Sequence, residues 1–146
     1  MADPVIDAAS DAYLARLKEG NDVSAHTKNA QAIAKDWRNR VFSLDPDRYQ
    51  IEVLVSPEFD QRIDVWDKTQ KRVYEFKVSG KNAPSEFYKD IVKVLLWNDR
   101  RKDKIETLVF ITERSFGQPL LDKPMPNAYI KYLAEYGLRV QVSYVG

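Results

Sequence analysis

Apolar positions recur at two periods along this chain, and the switches between them mark out its elements. An alanine-rich stretch from Val5 to Glu19 reads as a helix closed by Gly20-Asn21. From Ser24 to Phe42, residues Ala30, Ile33, Ala34, Trp37 and Val41 fall at i, i+3, i+4, i+7 and i+11, one apolar stripe on a second helix. The period then drops to two in three runs, Tyr49 to Val55, Gln61 to Asp67 and Lys71 to Val78. Short loops join them, which predicts an antiparallel meander. Pro84-Ser85-Glu86 opens a long helix to about Arg101, with Phe87, Ile91, Val94 and Leu95 on one side. Lys104 to Thr112, centred on Leu108-Val109-Phe110-Ile111, reads as a buried central strand. A loop containing Gly117, Pro119, Pro124 and Pro126 precedes a short helix, Asn127 to Tyr136, and a last alternating strand, Leu138 to Val145. The expectation is a single α/β domain over residues 1–146 with a mixed sheet flanked by helices.

The strand pattern also places charge. In the third run Tyr74, Phe76 and Val78 share one face, and Glu75 and Lys77 the other. A hairpin turning symmetrically about Thr69-Gln70 pairs residues whose numbers sum to 139, setting Asp64 beside Glu75 whether its loop has two residues or four. A one-residue slip turns Ile63 and Val65 away from the core, so burial selects this register. Like charges opposed in a sheet repel, and a divalent cation resolves the conflict. In the preceding hairpin, a five-residue turn from Ser56 to Asp60 brings Glu52 opposite Asp64. The apolar side then holds Ile51, Val53, Val55, Ile63, Val65, Tyr74, Phe76 and Val78, and the opposite side Glu52, Asp64, Glu75 and Lys77.

Composition narrows the chemistry. The 146 residues include no cysteine and one histidine, His26, which excludes thiolate nucleophiles and multi-histidine metal sites. Without a GxSxG motif, a Ser-His triad has no support. Twenty-three basic against 22 acidic residues give a net charge of +1, so any nucleic-acid face is local. No signal-like start or long apolar window appears, and the expectation is a cytoplasmic protein without a membrane partner. Hard oxygen donors at this spacing suit Mg²⁺, with Mn²⁺ able to substitute.

These residues resemble the restriction-endonuclease-like PD-(D/E)xK nuclease superfamily, whose core is a helix, three antiparallel strands, a helix and a fourth strand. The likeness spans about Ser24 to Thr112, leaving one N-terminal helix and a C-terminal αβ unit as additions to the αβββαβ core. The family aspartate corresponds to Asp64 and its Glu-x-Lys to Glu75-Phe76-Lys77, with ten residues between the acids. Ile63 stands where many members have proline, and only Gln31 and Asp36 lie near the family's extra helix acid. The resemblance implies that Asp64 and Glu75 hold the metal, helped by the Phe76 carbonyl, and that Lys77 serves the attacking water. Glu52 is a further candidate ligand. Lys81 and Lys89 stand where members contact phosphates.

The expected function is therefore a Mg²⁺-dependent endodeoxyribonuclease acting on DNA, as a homodimer or with a partner that supplies specificity. The alternatives are a catalytically inactive binding module of the same fold and, less favoured, an RNase H-like nuclease. Each charged residue also has a plainer explanation. Glu75 and Lys77 alternate as on any solvated strand face, and Glu52 suits an exposed edge. Arg38 and Arg40, with Lys35, form either a solvated helix face or a phosphate-tracking ridge, to which Arg62 adds. Trp66 and Trp97 serve either base stacking or packing.

Overall fold

The computed structural model describes residues 2–19, 27–78 and 83–146. His26 and Lys81 lie outside the described residues. Among the described residues five helices and five strands follow one another as α1 (Pro4–Lys18), α2 (Thr27–Leu44), β1 (Tyr49–Ser56), β2 (Phe59–Asp67), β3 (Arg72–Lys77), α3 (Ala83–Arg100), β4 (Thr107–Glu113), α4 (Arg114–Leu121), α5 (Pro124–Glu135) and β5 (Arg139–Val145). The strands form one mixed sheet in sequence order, with β1, β2 and β3 antiparallel and β4 and β5 each parallel to the strand before. This is an α/β architecture.

Helices cover both faces of the sheet. On one, Val5, Ala9 and Tyr13 of α1 and Ile33, Trp37 and Val41 of α2 pack on Val65, Tyr74, Phe76, Val109 and Ile111. The Trp37 ring meets Phe76 edge-on at 5.3 Å, and its indole N–H donates to the Val5 carbonyl at 3.1 Å, tying α2 to α1. On the other face Phe87, Ile91, Val94 and Trp97 of α3, with Leu120 and Leu133, pack on Ile63, Trp66, Val73, Leu108 and Phe110. Trp66 and Trp97 are buried 5.2 Å apart, so packing is their role. Buried on both sides, β4 has no exposed residue, which explains its continuous apolar run.

Two expectations about the meander are corrected. Its second hairpin has the expected register, Val65 opposite Tyr74 and Trp66 opposite Val73 across a four-residue loop. The first closes more tightly, Ser56 opposite Phe59, after a register shift beyond Leu54. The proposed single apolar side is also split. Ile51 and Val65 join the α1–α2 core, whereas Val53, Val55 and Ile63 join the α3 core. The break falls at Glu52, whose φ of 49° interrupts β1 between the pairs Ile51–Val65 and Val53–Ile63. Strict alternation cannot run through such a residue.

The proline-rich loop is instead helical. Pro124 and Pro126 sit in the first turn of α5, where a missing N–H costs nothing, and Pro119 lies in the last turns of short α4. Gly117 lets α4 lie close to the sheet, since a β-carbon there would stand 2.5 Å from the Tyr144 ring and 2.8 Å from the Thr112 methyl. Gly117→Ala is expected to lower stability by about 1–3 kcal/mol in urea unfolding, although alanine is the better helix former. An unchanged midpoint would contradict this packing.

Candidate functional site

The β2–β3 ladder has its last backbone pair at Val65–Tyr74, and carboxylates take over beyond it. The Asp64 amide donates to Glu75 Oε1 and the Phe76 amide to Asp64 Oδ2, both at 3.4 Å. Each acid thus caps the other strand as the strands part, and the two carboxylates are neighbours as the register argument required. Phe76 sends its side chain into the Trp37 core, which fixes Glu75 and Lys77 on the α3 side. That side is not a solvated face: Glu75 is 0 % exposed.

Helix α3 adds two charged residues that the sequence reading passed over. Lys93 Nζ lies 2.8 Å from Glu75 Oε1, 2.9 Å from the Arg62 carbonyl oxygen and 3.1 Å from Asp90 Oδ1. One ammonium thereby joins β2, β3 and α3. Asp90 is fully buried with the Lys93 ammonium as its ion-pair partner, and among the described residues Glu75 Oε2 is buried with no hydrogen-bond partner. Lys77 Nζ stands 3.8 Å from Glu75 Oε2 and 3.9 Å from Glu86 and keeps partial solvent access, as does Asp64.

The electrostatics follow from this crowding. Burial, then the charges of Asp64 and Asp90, raise the Glu75 carboxyl well above the ordinary range. Burial likewise pushes Asp90 up to about 6, against the pull of Lys77 and Lys93. Asp64 is held low: burial opposes its charge, but the Glu75 hydrogen bond and the charges of Lys77, Lys93 and Arg38 outweigh it. Burial works against the Lys77 ammonium too, yet Asp90, Asp64 and Glu75 keep it above its usual value. Lys77 is therefore a cation at neutral pH. It can orient a water and offset negative charge, but as an ammonium it accepts no proton.

The remaining candidates lie outside the cluster. The pairs on either side of Glu52, Ile51–Val65 and Val53–Ile63, keep the expected register, but with its left-handed backbone Glu52 makes no ladder pair with Asp64, and its exposed carboxylate meets Arg38 at 3.7 Å. Arg62 is exposed on β2 and donates to the Glu52 carbonyl. Arg40 pairs with Asp36 along α2, and Lys89 is exposed on α3. Arg38 adds to the charges that hold Asp64 low.

The signal for Asp90 was present in the sequence. Phe87, Asp90, Ile91, Val94 and Trp97 fall at i, i+3, i+4, i+7 and i+10, so a carboxylate interrupts the apolar stripe of a buried helix. Lys93 comes one turn after Asp90. Leu95, assigned to that stripe, is instead exposed, and Trp97 takes the buried position.

A divalent cation fits the donor set within limits. No group of three or more acidic or histidine side chains is arranged to hold a metal among the described residues; Asp64 and Glu75 are two neighbouring carboxylates. Mg²⁺ and Mn²⁺ take one or two carboxylates and complete their shell with water and substrate oxygens, and the unsatisfied Glu75 Oε2 is such a donor. No family model, curated protein or solved structure matches the chain. No helix among the described residues is long and apolar enough to cross a membrane.

Proposed function

We propose that this chain is a Mg²⁺-dependent endodeoxyribonuclease of the PD-(D/E)xK type. The observation that carries this reading is the meeting of Asp64 and Glu75 at the parting of β2 and β3, with the Lys77 ammonium beside them. In this reading Asp64 and Glu75, with the Phe76 carbonyl, hold the ion. A bound divalent ion supplies Lewis-acid polarisation of the phosphoryl oxygen and a more acidic water. Lys77 orients the attacking water and offsets the charge that grows on the phosphoryl oxygens. Arg38 of α2 and Arg62, two residues before Asp64 on β2, hold DNA phosphates. Near-neutral net charge makes nonspecific affinity low, so a second chain or another protein supplies further DNA contacts.

The test is nicking of supercoiled plasmid with Mg²⁺ or Mn²⁺, with and without chelator. Wild type is expected to nick only with metal. Asp64→Ala and Lys77→Ala are each expected to lower the rate by about 100-fold or more, on the scale of removing one preorganised group at a reacting phosphate. Activity unchanged in both variants overturns the reading.

One observation favours a second reading, a binding module of the same fold without turnover: Lys93 already neutralises Glu75 at 2.8 Å. That module takes up no metal. Calorimetric Mn²⁺ uptake that is lost in Asp64→Ala decides for the nuclease, and no uptake by wild type decides for the module.

A further inference from the structure

We infer that the outer faces of α3 and α5 form the interface of a two-fold symmetric dimer, with a second copy of this chain as the occupant. Each helix carries two apolar stripes where one would serve the core. On α3 the inward stripe is Phe87, Ile91 and Val94, and a second runs outward through Tyr88, Val92 and Leu95. On α5 the outward stripe is Met125, Tyr129, Tyr132 and Tyr136 at i, i+4, i+7 and i+11. The stripes meet in a groove of about 460 Å³ lined by Ile91, Val92, Leu95, Met125, Tyr129 and Tyr132, among others. Tyr136 extends it, its ring 4.7 Å from that of Tyr132.

Area selects the kind of partner. Val92, Leu95, Met125, Tyr129, Tyr132 and Tyr136 are between 43 % and 71 % exposed. At roughly 150–250 Å² for each of the three tyrosines and less for Val92, Leu95 and Met125, the exposed patch comes to about 500–600 Å². That reaches the top of the range for the largest apolar patch of a monomer and approaches the ~800 Å² per partner of a stable complex. The same face carries both the groove and the exposed Tyr132–Tyr136 ring pair, and a two-fold contact brings each patch against its own copy. Charge agrees. Lys89 lies one turn before Val92, and Asp99, which meets its neighbour Arg100 at 3.4 Å, one turn after Leu95, so two antiparallel α3 helices set each Lys89 towards the Asp99 of the other copy. Lys89, expected from sequence to touch DNA, is assigned to this contact. The inference holds whether or not the acidic cluster cleaves DNA.

Sedimentation velocity over micromolar to near-millimolar concentrations tests it. Wild type is expected to sediment at twice the 16.9 kDa chain mass. Tyr132→Asp and Leu95→Glu are each expected to weaken the dimer at least about 30-fold, with circular dichroism unchanged because both side chains are exposed. Lys89→Asp weakens it, and adding Asp99→Lys restores it. A wild type that stays monomeric throughout overturns the inference, including one that floats with phosphatidylcholine vesicles and so reads the face as lipid-binding. A dimer unaffected by both apolar substitutions also overturns it.

Discussion

Lys93→Met is expected to be among the most destabilising single substitutions in this protein, costing about 3–5 kcal/mol at neutral pH. The lysine is 6 % exposed and its ammonium is the near counter-ion of Glu75 and Asp90, both 0 % exposed. Its removal leaves two buried acids next to Asp64 with Lys77 as the remaining close cation. It also leaves the Arg62 carbonyl without the ammonium donor. Urea unfolding at neutral pH measures the loss. The loss is expected to shrink as pH falls through about 6, where Asp90 protonates and the missing charge matters less. Combining Lys93→Met with Glu75→Gln and Asp90→Asn should recover much of the stability, because a neutral cluster no longer has buried charge to offset. A loss under about 1 kcal/mol for the single variant at pH 7 would contradict the arrangement.

The second large effect concerns pH. Glu75 and Asp90 have folded carboxyl values raised above their unfolded ones, so the native chain binds more protons than the unfolded chain between them. Their contribution to stability is complete below the unfolded range near pH ~4 and is lost as pH rises through the folded values, about 6 for Asp90. Asp64, held low, has the opposite sign, but its contribution is lost only on falling below pH ~4. The raised lysines are charged throughout this window and leave the slope unchanged. The metal-free protein is therefore expected to melt lower at pH 7.5 than at pH 5. Asp90 alone accounts for up to about 3 kcal/mol, since its shift is about two units. On the proposed nuclease reading, Mn²⁺ should raise the melting temperature more at the higher pH, where the carboxylates proposed to hold it are deprotonated. Scanning calorimetry with and without Mn²⁺ checks both statements. A metal-free Tm that climbs steadily from pH 5 to 7.5 would overturn the first, and a Mn²⁺ increment independent of pH the second.

The chain's periodicity made much of this arrangement legible before any coordinates. The Asp64–Glu75 proximity follows from one register, and that register follows from where Tyr74, Phe76 and Val65 must be buried. The element order was legible for the same reason, since each switch of period coincides with a turn residue. Glu52 was misplaced because a left-handed residue in the middle of a strand leaves no mark on an alternating pattern. Helix α4 was missed because Gly117 and Pro119 are breakers in general, whereas here close contact with Tyr144 and Thr112 makes glycine the residue that fits. Lys93 illustrates a different limit. A lysine beside an apolar stripe ordinarily extends into water, and only the packing of α3 across β2 and β3 turns it inward.

The change from antiparallel to parallel pairing at β3 has a consequence for the order in which the molecule assembles. The meander of β1, β2 and β3 closes through turns of a few residues, whereas β3 meets β4 only after the whole of α3 has crossed over. Asp64 and Glu75 thus come together in a locally formed hairpin before Lys93 can reach them. Docking of α3 is then the event that locks the sheet, and Lys93→Met should slow refolding as well as speed unfolding.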